Sequence, residues 1–450
     1  MILNSILQRP LLVLALFLLA APPAGAQDYK AALNELAKAE RVRDPDAFAS
    51  AARFLLKDDS ARAVREVCDA YGRFASAKPP LEGVVHYHLH SELARALGEI
   101  GSGPGQEEVA RQREKASAWE VRCLCLDAAS FKPAVFGMQG AAISRLQDKT
   151  PAVVRRALEY LRHDRQLVVV DAVIARFLEV DLPKGPKGDD WNRLRLSFRS
   201  ALSSLLKVSR AAAVDYRNYV DARRSMPADL FEKPPPEASL TRLSIFGMEV
   251  SGNNLAFVLD ISGSMMSTDP IPLAALPGKT ETRPKTQARE AQMIEDRRRI
   301  NRAKKELIKV VQTLPEGKKF SIIAYSSDVV PWKKLLVPVS PANRKEAVEY
   351  IQGLKAEGLT VTDDALEAAF TDLTVDTIYL ITDGAPTHVG VRGPEMPPDA
   401  EDIIRRIHKR VREINYFRGV RIFTLGFPEA EEDFLKKLAA ENAGEYMPIR

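Results

Sequence analysis

Leu255-Ala256-Phe257-Val258-Leu259-Asp260-Ile261-Ser262-Gly263-Ser264 is the stretch that decides the fold. A short, continuous apolar run suits a strand buried on both faces, as in parallel sheets. The run ends on an acid, and two serines follow around a glycine. In an open sheet of alternating strands and helices, ligands bind outside the carboxyl ends of the strands. Asp260, Ser262 and Ser264 are therefore expected on a binding edge.

Working outward, the alternation continues. Strands are expected at 254–260, 319–325, 376–382, 420–426 and 445–449, with a short edge strand between Val329 and Val337. Helices are expected at 288–313, 341–353, 362–370, 399–414 and 430–441. This pattern implies an α/β fold with a doubly wound, mostly parallel sheet. Asp383 follows the strand that ends at Ile381, and Thr360 lies in the loop before the helix carrying Ala365-Leu366. Both loops open onto the edge that holds Asp260. The resulting set, Asp260, Ser262, Ser264, Thr360 and Asp383, offers only oxygen. Hard oxygen donors suit Mg2+, or Mn2+ or Ca2+, rather than zinc or copper.

On these residues the region 246–450 resembles a von Willebrand factor type A domain. That family's metal-ion-dependent adhesion site, or MIDAS, is Asp-x-Ser-x-Ser with a distant Thr and a distant Asp. The resemblance implies that Ser262 and Ser264, and in some states Thr360, bind the metal directly. It also implies that Asp260 and Asp383 often act through water. One departure is Gly358-Leu359-Thr360-Val361, where the family often has Gly-Gly-Thr-Asn. Hydroxyl donors leave the ligand charge low and a coordination position open, which a partner's Asp or Glu can fill. Two proline-bearing loops, Thr268 to Thr286 and Ala385 to Pro398, are expected to rim the metal as a specificity collar.

Upstream, residues 27–225 read as an all-α domain. Apolar residues recur at helical spacing, broken at Lys78-Pro79-Pro80, Gly101 to Gly105, Lys132-Pro133 and Pro183 to Asp190. Ala63 to Cys68, Glu120 to Cys125 and Val153 to Leu158 resemble one another. The last two are 33 residues apart, a period of stacked helix pairs. Thr150 to Leu161 looks like a helix of a HEAT repeat, with Pro151 in its first turn. Residues 226–245, with Pro234-Pro235-Pro236, read as a stiff linker.

The N-terminus reads as a signal peptide over 1–26: Arg9, an apolar stretch from Leu11 to Ala21, and the small-residue site Ala24-Gly25-Ala26. An exported protein, periplasmic or secreted, is expected, with no transmembrane segment in the mature chain. Cys68, Cys123 and Cys125 do not form a disulfide framework and are expected as small buried apolar residues. The net charge of +5 falls in the first 250 residues, and no basic run interleaves with aromatics. Nucleic acid is not an expected partner.

His86-Tyr87-His88-Leu89-His90 reads as ordinary helix histidines, because His88 would point away from His86 and His90. Asp363-Asp364 reads as the acidic first turn of a helix, and Arg297-Arg298-Arg299 as a solvated helix face. There is no His-Glu-x-x-His, no Gly-x-Ser-x-Gly and no phosphate loop. The expected function is non-enzymatic: a cation hook that engages an acidic side chain of a protein partner. The alternative is a helical-repeat scaffold in which the metal only orders the α/β domain.

Overall fold

The computed structural model describes residues 26–225, 230–232, 243–270, 291–387 and 399–450. Residues 1–25 of the expected leader and most of the expected linker lie outside the described residues. So do 271–290 and 388–398, which hold most of the two collar loops.

The first 200 described residues form helices throughout. They are α1 (Ala26–Val42), α2 (Pro45–Leu56), α3 (Ala61–Ser76), α4 (Gly83–Gly98), α5 (Gly103–Lys115), α6 (Trp119–Ala129), α7 (Pro133–Phe136), α8 (Met138–Arg145), α9 (Pro151–Leu161), α10 (Leu167–Val180), α11 (Asp189–Leu206) and α12 (Ala213–Asp221). Local chemistry sets several starts. The Asp44 carboxylate accepts from the backbone N–H of Asp46 and Ala47, with Pro45 in the first turn of α2. Ser60 and Ser102 cap α3 and α5 in the same way. The helices pack alternate upon alternate: α2 on α4, α3 on α5, α4 on α6, then α9 on α11 and α10 on α12. Each pair thereby buries its neighbour's apolar stripe. Two of the similar sequence segments meet directly, because the Sγ atoms of Cys68 and Cys125 lie 3.9 Å apart as buried free thiols.

The second region opens with a small hairpin, β1 (Ser244–Ile245) and β2 (Met248–Glu249). It begins inside the stretch expected as linker. Ile245, Met248 and Val250 are buried in the sheet domain's core, so this hairpin belongs to that domain. The sheet follows: β3 (Asn254–Asp260), β4 (Lys319–Tyr325), β5 (Val329–Pro331), β6 (Val337–Pro338), β7 (Thr377–Thr382), β8 (Arg421–Gly426) and β9 (Tyr446–Pro448). Its order is β5-β4-β3-β7-β8-β9, with β6 also paired to β4. β3, β4, β7, β8 and β9 run parallel, while β5 and β6 are antiparallel. The connecting helices are α13 (Arg299–Thr313), α14 (Pro341–Gly353), α15 (Thr362–Ala369), α16 (Ala400–Asn415) and α17 (Glu432–Glu441). Every residue of β3 is buried, with Leu255, Phe257 and Leu259 in one apolar cluster and Ala256 and Val258 in the other. Helices therefore cover both faces, as the apolar runs require.

One expected helix is divided. Residues 291–296 are helical, but Arg298 is extended and bridges to Thr268 before α13 begins. The backbone N–H of Arg299 donates to Ser267 O at 3.0 Å, which closes this kink against the loop after β3.

The helical region docks on the amino ends of the strands. Asn254, at the start of β3, donates to the Asp189 carboxylate at 3.3 Å. Arg193 donates to Leu373 O at 3.1 Å, ahead of β7. Arg155 donates to Phe417 O at 3.2 Å, ahead of β8, and Ser200 to Ala443 O at 2.7 Å, ahead of β9. At the centre lies Asp127, which is buried. It accepts from Arg156 at 2.5 Å, Tyr160 at 2.8 Å, His90 at 2.8 Å and Tyr416 of the sheet domain. The histidine stretch is part of this junction. His86 and His90 both bond the Tyr71 hydroxyl, His86 stacks on Phe417 at 4.3 Å, and His88 pairs with Glu413 at 3.0 Å.

Asp127→Ala is expected to lower the unfolding free energy by about 1–3 kcal/mol, because it strands the half-buried Arg156 and the donors on His90, Tyr160 and Tyr416; urea unfolding measures it. Acid should also loosen the junction. Burial, with His90 adding to it, pushes His86 down to about 3 from an ordinary 6.5. The unfolded chain therefore takes up the proton first. Stability is full above pH 6.5 and is lost as pH falls toward 3, by up to about 2 kcal/mol between pH 7.5 and 5. The drop in urea midpoint over that interval should shrink in His86→Phe, which keeps the stack on Phe417.

Candidate metal centre

The parallel register carries the five oxygen donors to the carboxyl edge. β3 pairs with β4 and β7 so that Asp260 stands opposite Tyr325 and Leu259 opposite Ile381. Asp260 ends its strand, and Asp383 is the first residue beyond β7. The loop with Thr360 is drawn in by backbone bonds. Gly263 N–H donates to Gly358 O at 3.0 Å, Glu357 N–H to Ile261 O at 2.9 Å, and Thr387 N–H to Thr360 O at 3.2 Å. Gly358 has φ +84, and a Cβ there would meet Ser327 Oγ at 2.6 Å, so this turn requires glycine.

Three of the five side chains, Ser262, Ser264 and Asp383, are joined directly, and Asp260 is tied to them through the Ser262 backbone. Asp260 is fully buried. Its Oδ1 accepts from the Ser262 N–H at 2.8 Å, and its Oδ2 accepts from Thr382 Oγ1 at 2.6 Å. Ser262 and Ser264 hydroxyls are 3.0 Å apart, and Ser264 Oγ donates to Asp383 Oδ1 at 2.8 Å. Ser262, Thr360 and Asp383 are buried, while Ser264 is exposed and gives the cluster its opening. Burial pushes the Asp260 carboxyl up to about 6, against the hydrogen bonds from Ser262 and Thr382, and Asp383 pushes it further up. This is the condition of a carboxylate short of positive charge.

Asp383 divides its two oxygens. Oδ1 faces the serines, and Oδ2 accepts from Arg299 at 2.9 Å. The Arg299 guanidinium also reaches Asp269 at 3.1 Å and Glu429 at 3.0 Å, and Asp269 is held in turn by Arg302. Arg299 is therefore not on a solvated helix face as expected; it is 4% exposed. The kink at Arg298 turns it inward, where three carboxylates outweigh water as its environment. No local signal marks this arginine out from its two neighbours.

The donor types suit a hard divalent cation: Asp260, Ser262, Ser264 and Asp383 are brought together by hydrogen bonds, with Ser264 open to solvent, while Thr360 is tied in only through backbone bonds of its loop. Asp260 has both oxygens engaged by protein donors, which fits an aspartate acting through water. The histidine stretch makes no such set. Among the described residues no group of three or more His, Cys, Asp or Glu is placed to hold a metal. Asp363 and Asp364 lie in the first turn of α15, as expected.

A family model described as von Willebrand factor type A domain matches residues 255–385. The chain is 31% identical over 205 residues to inter-alpha-trypsin inhibitor heavy chain H4 of Bos taurus. That match covers 42% of this chain and 18% of the relative. It is 28% identical over 152 residues to von Willebrand factor A domain-containing protein 3B of Homo sapiens, covering 33% of this chain and 10% of that protein. The chain thus spans less than a fifth of the length of these relatives. Among solved structures it is similar to a von Willebrand factor type A protein from Catenulispora acidiphila, with TM-score 0.32 and 19% identity, over 45% of this chain and 39% of that one.

Arg299→Gln is expected to cost about 3–5 kcal/mol, because Asp269 and Asp383 lose a buried cation. Denaturant titration checks it. Glu429→Gln, at a carboxylate 80% exposed, should cost under about 1 kcal/mol in the same assay.

Proposed function

We propose that this chain, whose residues 255–385 carry a von Willebrand factor type A domain, is an exported, non-enzymatic module that binds a protein partner through a divalent cation. The cation is Mg2+, with Mn2+ or Ca2+ as substitutes. Ser262, Ser264 and Thr360 would hold it directly, and Asp260 and Asp383 would hold it largely through water. The cation's role is that of a charged hook, completed by an Asp or Glu of the partner. The observation that carries this reading is the convergence of Ser262, Ser264 and Asp383 in one bonded chain around the buried Asp260, with Ser264 left open to solvent. Low ligand charge favours recruitment of an outside carboxylate, because the ion retains unneutralised positive charge.

The placement of the helical region supports the same reading. Its bonds at the start of β3 and ahead of β7, β8 and β9 lie at the amino ends of the strands, away from the oxygen cluster. Beside the cage, Met266 and Leu359 are 42% and 44% exposed. A partner that sets an apolar side chain next to its acidic one would use both. Here the departure Leu359 becomes part of the binding surface. Export to the periplasm or the exterior rests on the leader-like sequence at 1–26 alone.

The test is capture of partners by the purified mature chain, with Mg2+ and with chelator. Partners held only with Mg2+, and lost in Asp260→Ala while the fold persists by circular dichroism, are expected. Binding that survives chelation and follows folding alone would instead favour the helical-repeat, HEAT-like scaffold with a structural metal. Leu359→Gly should weaken Mg2+-dependent capture by about threefold to tenfold without changing Mg2+ affinity, on the scale of one lost apolar contact.

A further inference from the structure

The helical region and the sheet domain leave space between them. Beside the Asp127 junction lies a cavity of about 560 Å3, within the roughly 300–1,000 Å3 range of small-molecule pockets. α9 and α11 form one wall; α16, α17 and the turn Tyr416 to Val420 form the other. Its lining holds five Arg and Lys side chains against two Glu.

Some of these cations are answered. Arg156 has Asp127, and Arg412 donates to Glu441 at 3.1 Å. Two are answered poorly. Arg162, with its side chain 8% exposed, puts Nη1 on Glu159 at 3.1 Å, yet its buried Nε has no hydrogen-bond partner among the described residues. Arg155, 9% exposed, donates to the carbonyls of Phe417 at 3.2 Å and Asp190 at 3.4 Å, and its paired carboxylate oxygen, on Asp190, stands 3.7 Å away. Burial pushes Arg155 down to about 10, and Arg193 adds to this against the opposing pull of Asp190. A buried guanidinium N–H without an acceptor costs about 1–3 kcal/mol or more. A carboxylate beside these guanidinium groups would add negative charge that the protein supplies only in part. Arg155, Leu158 and Arg162 recur at helical spacing on the side of α9 that meets the cavity. Leu158, Ala201 and Val420 give the space an apolar body.

We infer that this interdomain cavity binds a small organic anion, a carboxylate with an apolar tail, whose head group pairs with Arg162 in the field of Arg155. Nothing in the metal-hook reading requires it. The site lies at the opposite ends of the strands and involves no metal donor.

Calorimetric titration of the full chain with octanoate, in the presence of chelator, tests it. One saturable site is expected, weakened tenfold or more in Arg162→Gln. Ala440→Phe, at an exposed position of α17 that lines the cavity, should weaken it likewise without removing a charge. Octylammonium, with the same tail and opposite charge, should not bind. No saturable octanoate binding would overturn the inference. So would binding unchanged in both variants, or equal binding of octylammonium. Inorganic phosphate bound as tightly as octanoate would overturn the carboxylate-with-tail class. Because the assay contains chelator, its failure leaves the Mg2+ hook standing, and loss of Mg2+-dependent capture leaves this site standing.

Discussion

Strand β3 is the constraint from which the rest of the sheet domain follows. It is buried along its whole length and hydrogen-bonded on both sides, to β4 and to β7, in parallel register. A strand so placed must be apolar until it leaves the sheet, and its neighbours must end level with it. Its carboxyl end therefore gathers loops from several parts of the chain at one rim. Its amino end gathers the loops that precede the other strands at the opposite rim. The oxygen cluster occupies the first rim and the helical region occupies the second. One register thus separates the rim of the oxygen cluster from the rim given to interdomain packing.

Both rims solve the same electrostatic problem by different means. At the carboxyl edge, Asp383 and Asp269 are buried and need positive charge, which Arg299 supplies from behind. On its other side Asp383 accepts from the Ser264 hydroxyl. At the amino edge, Asp127 is buried among donors from α4, α6's neighbour α9 and the turn after α16. There the protein supplies all the positive charge, and the network is closed. A completed polar network of this kind marks the Asp127 junction as structural.

Much of this was legible in the chain. The strands at 254–260 and 319–325 and the helix at 341–353 fall where the alternation of strands and helices places them. Ser340 caps that helix through Asn343 N–H, which is a local signal. Asp260, Ser262, Ser264 and Asp383 come together as the strand ends imply. Arg299 was misread because three consecutive arginines look alike in sequence, and only the kink at Arg298 assigns one of them to the interior. The hairpin from Ser244 was missed because two-residue strands carry too little periodicity to register. The histidines were read correctly as helical. Their aromatic partner Phe417, over 300 residues away, could not be seen.

By itself the sequence determined the fold class and the order of a helical region before a sheet domain. These depend on local pattern: apolar runs bounded by polar residues, helical spacing, and caps within a few positions. The tertiary structure alone decided which rim each domain took, which arginine went inside, and where a cavity remained between the two parts. Those outcomes depend on pairing groups distant in the chain, such as Asp127 with Tyr416 and Arg299 with Asp383. Burial makes such pairing obligatory, but sequence position does not say which partner will be met.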